Sequence, residues 1–331
     1  MKSSSIDIKK SAFNVNLKYT RLQNKTKELF FRCLYEGRDI EYFNERIEAL
    51  WGNIDHSFMD DEIAEYEAII HERNTHGKEV EREIPEGEYG SLFSLVPISV
   101  LIAVEHKFMK TKEREYKRSI NSPAYKKDKV EYLKLKVPNY TDNMITYYKK
   151  GMPRTKENEV RQVSPAVYNS MVYNTNLTRS VWNTTLNDAG NANWFIIRYH
   201  PFSCPHCIEH QNRPLTKRQV IDMVGFAEEA EGDILHPNCA CILSLYDGNL
   251  PEDELTDMEK AEIYNIRQKV NGLTLKKERL LTDMKIAKEG GYMDLYDEYN
   301  KQRNKVNATI RELKNSLPTE ALQKQVVAIN R

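Results

Sequence analysis

Ile263-Tyr-Asn-Ile266-Arg-Gln-Lys-Val270-Asn-Gly-Leu273, continued by Leu280, Met284 and Ala287, repeats apolar residues at steps of three and four, with one polar interruption at Lys277. That period keeps a single stripe of a helix turned toward a partner, and the residues around it are mostly Lys, Glu, Arg and Asn. Gly290-Gly291 breaks the pattern, and a second seam resumes with Leu295, Tyr299, Val306, Ile310, Leu313 and Leu317. A short glycine turn between two such seams can only bring the chain back beside itself, so the spacing predicts an antiparallel helical hairpin.

The rest of the chain extends this helical reading. Residues 19 to 36 read as a helix stopped by Gly37, with Asp39 placed to cap the next one. There Ile40, Phe43, Ile47, Leu50, Ile54 and Phe58 again step by three and four, which predicts a second arm reaching toward Ile69 and Ile70. Residues 1 to 74 are thus expected to form a helical hairpin. Gly77, Pro85, Gly87 and Gly90 mark His76 to Gly90 as a loop. The apolar run Leu92 to Val104, followed by Glu105-His-Lys-Phe-Met-Lys110, predicts a helix buried at its start and solvated at its end. Residues 140 to 190 are polar and rich in Asn and Thr, with a short helical seed at Tyr168, Met171, Val172 and Tyr173. Trp194 to Tyr199 and Cys241 to Tyr246 have the aromatic and β-branched content of strands. The expected fold is mainly α, with helical hairpins flanking a small α+β zinc-knuckle module. Its segments are an N-terminal helical hairpin (1–90), a basic helical segment (91–164), an α+β zinc-binding module (165–250) and a C-terminal helical hairpin (251–331).

The 331 residues include 19 Tyr, 10 Phe and 3 Trp, too many apolar anchors for a disordered chain despite 30% charged residues and a mean hydropathy of −0.68. Formal charge is zero overall but segregated. Residues 37–88 carry 5 basic and 16 acidic side chains, a net of −11; residues 105–156 carry 15 basic and 6 acidic, a net of +9. The basic block suits backbone contact with a polyanion such as DNA through 107–156, or docking on acidic helices, as well as plain solvation. The longest apolar run spans 13 positions, short of the ~20 residues that cross a bilayer, so no membrane span is expected. The first 15 residues lack an apolar core of signal-peptide length, which makes the cytoplasm the expected site of synthesis.

Chemistry concentrates in one place. His200-Pro-Phe-Ser-Cys204-Pro-His206-Cys207-Ile-Glu-His210 is followed, after 25 residues, by His236-Pro-Asn-Cys239-Ala-Cys241. A Cys-x-x-Cys knuckle offers two thiolates to one ion, and a second cluster of soft ligands can close a tetrahedron around Zn²⁺. The favoured set is Cys204, Cys207, His236 and Cys241, with Cys239 as the alternative to the last; His206 and His210 are expected beside the site or on the surface. One structural zinc per chain is the cofactor expected. A redox pair, buried thiols and a catalytic zinc compete with this reading. Glu209 and Glu229, the nearby acids, do not sit at the spacings catalytic zinc sites use. No glycine-rich phosphate loop, Gly-x-Ser-x-Gly elbow or His-Glu-x-x-His helix occurs in the sequence, which weighs against an enzyme.

The order Gln162-Val-Ser-Pro-Ala-Val-Tyr168-Asn-Ser-Met171, Asn174-Thr-Asn-Leu-Thr178-Arg179, Asp188-Ala-Gly190, a strand, Cys204-Pro-His-Cys207 and His236-Pro-Asn-Cys239-Ala-Cys241 resembles minor capsid proteins of tailed bacteriophages. Both the minor capsid protein 2 group and the Mu F-like head morphogenesis proteins share it, over roughly residues 140 to 315. This chain departs from them at Ala240, where Arg is common, and at Gln211-Asn-Arg-Pro214, where a Gly-containing turn is usual. The resemblance implies a structural virion protein without enzymatic activity, located inside the phage head after assembly in the host cytoplasm. Its implied partners are portal, capsid or scaffold proteins, and its implied roles are assembly, packaging or ejection. The enzyme alternative is a zinc-dependent nuclease of treble-clef type, for which His200, His206 and His210 are the candidate bases.

Overall fold

The computed structural model describes residues 7–75, 95–148, 160–198, 203, 205–223, 239, 241–250, 255–319 and 322. Helix α1 (Ile8–Glu36) begins where the Asp7 carboxylate accepts the backbone N–H of Lys10 (3.0 Å). It ends at Gly37, whose φ of +72° closes the helix in the left-handed conformation. The helix therefore starts eleven residues before the predicted position 19. Ile8, Ala12, Val15 and Tyr19 extend its buried face back through Lys-rich sequence.

Helix α2 (Ile40–Trp51) starts as expected on an Asp39 cap, its carboxylate accepting from Tyr42 N–H (2.8 Å). The single second arm expected through Ile70 is not formed. The chain turns after Trp51, and Asp55 accepts the Ser57 N–H (2.9 Å) to start α3 (Ser57–Thr75). The N-terminal helices are accordingly not a closed hairpin. Helix α1 packs chiefly on α7 (Pro165–Asp188) and α10 (Asp257–Glu289), and α3 packs on α7. The loop predicted at 76–90 lies outside the described residues.

Helix α4 (Ile98–Asn121) corrects the expectation of burial at its start. Leu101, Val104, Glu105, Phe108, Lys112, Tyr116 and Ser119 form one buried stripe along its length, while Ile102 in its first turns is half exposed. The apolar run is thus one face of an amphipathic helix whose aromatic anchors come later: Tyr116 stacks on Phe43 with centroids 4.3 Å apart. Two short helices, α5 (Pro123–Lys127) and α6 (Lys129–Lys136), lead to a hairpin the sequence reading missed, β1 (Ile145–Tyr148) against β2 (Val160–Val163).

The seed at 168–173 is the middle of a 24-residue helix, α7, capped by Ser164 with Pro165 in its first turn. Beyond it lie β3 (Trp194–Ile197), α8 (Pro205–Ile208), β4 (Pro214–Thr216), α9 (Lys217–Met223) and β5 (Leu243–Leu245). The strands form an antiparallel sheet in the order β4-β3-β5, with Phe195 opposite Leu215 and Leu245. Both predicted strands are present. Helix α10 starts in a Thr256/Glu259 capping box and pairs with α11 (Met293–Asn315) after a turn in which Gly291 takes φ +74°. Ile263, Ile266, Val270, Leu280, Met284 and Ala287 are buried as the seam requires, and Leu273 is half-buried. The C-terminal hairpin is as expected. Apolar residues of α1, α3, α4, α7, the three-stranded sheet and α10 join one continuous core.

Candidate metal centre

Pairing within the small sheet explains why thiols distant in sequence meet. Strand β3 runs out at Ile197, opposite Leu243, and Arg198 N–H still donates to Ile242 O (3.0 Å). At the sheet end, Arg198 and Ile242 are therefore side by side. On the β3 side, α8 carries Cys207, fully buried, and a tight turn returns through His210 N–H to Cys207 O (3.1 Å) and Gln211 N–H to Ile208 O (3.2 Å). Asn212 then takes φ +52° and donates its N–H to Ile197 O (3.1 Å). Asn is among the side chains that tolerate the left-handed region best, so this turn forms without a glycine.

On the β5 side, Cys239 and Cys241 are both 1% exposed. Their sulfurs and that of Cys207 lie within 4.8 Å of one another, with Cys207 Sγ 3.7 Å from Cys239 Sγ. Three buried sulfurs at these separations are close enough to hold a metal ion. Among the described residues, N–H groups face them. Cys241 N–H points at Cys239 Sγ (3.4 Å), and Gln211 Nε2 lies 3.9 Å from Cys241 Sγ while donating to the buried Ser203 Oγ (2.6 Å).

Both cysteines of the Cys-Ala-Cys pair reach the cluster, where the sequence reading held one in reserve for the other. Cys204 and His236 lie outside the described residues, as does His200, so the described donors number three. Of the remaining histidines of the motif, His210 is half-buried with Nδ1 2.7 Å from the guanidinium of exposed Arg213, and the side chain of His206 is not among those described. The fifth cysteine, Cys33, is buried within α1, where burial pushes its thiol up to about 11.

Sequence reasoning missed the role of α7 here. Asn174 Nδ2 (2.5 Å) and Thr178 Oγ1 (2.8 Å) both donate to the carbonyl of Cys239, Trp182 Nε1 to that of Cys241 (2.7 Å), and Thr185 Oγ1 to that of Leu243 (3.0 Å). The signal was present as spacing: positions 174, 178, 182 and 185 are one helical face, and its polar donors sit in an otherwise buried helix. Compared with family models, curated proteins and solved structures, the chain matches none.

Proposed function

We propose that this chain is a structural protein of a tailed-phage head, a minor capsid component acting near the portal in assembly, packaging or ejection, and that one Zn²⁺ holds its sheet module in shape. One observation carries the reading. The motifs on which the resemblance rests build a single unit: Ser164 and Pro165 begin α7, Asn174 and Thr178 grip Cys239 O, and Cys207 meets Cys239 and Cys241. Spacing that serves one compact site supports shared ancestry better than scattered matches do.

In the metal reading, Cys207, Cys239 and Cys241 supply three thiolates, and Cys204 or His236, outside the described residues, supplies the fourth ligand. Four protein ligands leave no open position, so the ion acts on folding and not on a substrate. Elemental analysis of the purified protein should give one zinc per chain. Cys207→Ser should lose it, together with the native order of residues 194–245. At pH 8 Cys33 stays unreactive because its thiol is held protonated. Native thiol titration therefore reads the cluster: protected with zinc, reactive after chelation. Freely titrating thiols in a zinc-free native protein would remove the metal from the reading.

The virion role is tested by pull-down from infected cells probed for portal and scaffold proteins, paired with a divalent-metal nuclease assay. Co-purification with portal protein without hydrolysis supports the structural reading. Hydrolysis abolished by His210→Ala would replace it with the nuclease.

A further inference from the structure

Four side chains of α7 contact alternate carbonyls of one incoming segment: 239, 241 and 243. Helical positions four apart rise about 6 Å, and alternate residues of an extended chain advance about 6.6 Å, so a helix lying along such a segment meets every second carbonyl with one face. The donors use that match. Asn174, Thr178 and Thr185 are nearly inaccessible, and Trp182 is fully buried, so each bond is made away from water. The two carbonyls held at 239 and 241 belong to the two cysteines whose sulfurs face Cys207.

We propose that Asn174, Thr178 and Trp182 are positioning residues for a metal site: a rigid template on α7 that fixes the backbone of the Cys239 and Cys241 arm before the ion arrives. This inference rests on the metal reading above and goes beyond it by assigning the site's affinity to a helix that provides no ligand. The physical reason is preorganisation. An arm free in the apo protein must lose backbone freedom on binding, whereas an arm already bonded through its carbonyls does not. Fixed carbonyls also fix where each Cα–Cβ bond points, and so where each sulfur lies. Because α7 lies in the main core between α1 and α3, the template is as rigid as the body of the protein.

The test uses the full chain and Zn²⁺ as probe. Thr178→Val keeps the shape of the side chain and removes its donor; Trp182→Phe removes the indole N–H and keeps an aromatic ring. Competition with a chromophoric chelator should show zinc affinity falling about 10-fold or more in each variant, in line with losses seen when ligand-supporting partners are removed. Stoichiometry should remain one per chain, and the Co²⁺-substituted thiolate charge-transfer band should persist with shifted d–d transitions. Hydrogen exchange in the metal-free wild type should show residues 241–245 protected, and in Thr178→Val unprotected while α1 and α10 stay protected. A role in stability alone would lower the melting temperature of apo and zinc-loaded protein equally and leave affinity unchanged; that result overturns the template. Wild-type protein that binds no zinc overturns the metal reading and the template together. Wild-type binding with unaltered variants overturns the template alone. Should Trp182→Phe fail to fold, Thr178→Val and Thr178→Ser decide, since the serine hydroxyl should restore wild-type affinity.

Discussion

Glu105 is 4% exposed in the middle of α4, where it accepts a hydrogen bond from Tyr19 Oη (2.5 Å) and faces His56 Nε2 at 3.3 Å and Asn169 Nδ2 at 3.4 Å. Burial is the largest influence on its carboxyl and raises the pKa above the ordinary value, against the opposing effects of Tyr19, His56 and Lys18. The sign follows from linkage. The folded state holds the proton at pH values where the unfolded state has released it, so Glu105 costs stability progressively as pH rises from the ordinary carboxylate range through the raised value. Glu105→Gln keeps an acceptor for Tyr19 and removes the titration. Its stability relative to wild type, from urea midpoints between pH 4 and 7, should therefore improve with rising pH and level off; a difference independent of pH would contradict the assignment. Lys112 is fully buried against Asp142 (3.3 Å), Thr141 O (2.5 Å) and the Tyr140 ring (3.9 Å), and burial raises the Asp142 carboxyl above its ordinary value.

Among the elements, α10 and α7 are apolar and polar versions of the same task. Helix α10 buries a hydrocarbon seam, and its stability is set by packing. Leu280→Ala, at a 5% exposed position, should cost about 2–5 kcal/mol, while Leu281→Ala at the adjoining 40% exposed position should stay within about 0.5 kcal/mol. Equal effects in chemical denaturation would mean the seam faces elsewhere. Helix α7 buries Asn, Ser and Thr instead, and several of them find partners on neighbouring elements. Asn176 bonds both the N–H (2.8 Å) and the C=O (2.9 Å) of Val96 at the approach to α4, Ala166 N–H reaches Gln23 (3.3 Å), and Asn16 reaches Ser170 (3.2 Å). Truncating such a residue leaves its partner buried and unbonded, at a cost of about 1–3 kcal/mol.

For the whole molecule, the C-terminal hairpin is also tied to the N-terminal helix. Arg267, 2% exposed, directs its Nη2 at both oxygens of the Asp7 carboxylate, at 3.0 and 2.9 Å, the same group that caps α1. Lys27 pairs with Asp283 at 2.6 Å, and Asn24 reaches the Glu278 carbonyl at 3.2 Å. Helix α1 is thereby enclosed by α7 on one side and α10 on another. Thermal unfolding followed by far-UV circular dichroism and by tryptophan fluorescence should give one coincident transition. Deleting residues 255–331 should abolish it, because the face of α1 that meets α10 would be left in water. A truncated chain that kept the transition would show that the α1 and α10 faces are dispensable.

Apolar spacing determined the C-terminal hairpin, the Asp39 cap the helix start after Gly37, and aromatic and β-branched content the two strands around the cysteine clusters, because spacing, caps and residue type are local and act before any partner is present. Of the candidate site, Cys207 and Cys241 were legible as ligand types. That Cys239 joins Cys241 and Cys207 was not, since it depends on the register of β5 against β3, a pairing between residues more than 40 positions apart. The length of α7 was hidden for a related reason. Its Asn, Ser and Thr residues have weak helical propensity and read as loop, and only hydrogen bonds supplied by α1, the approach to α4 and the β5 arm make burying them favourable. The break between α2 and α3 carries a local cap at Asp55, but the apolar spacing within residues 40–70 runs through it and does not show that α3 packs on α7.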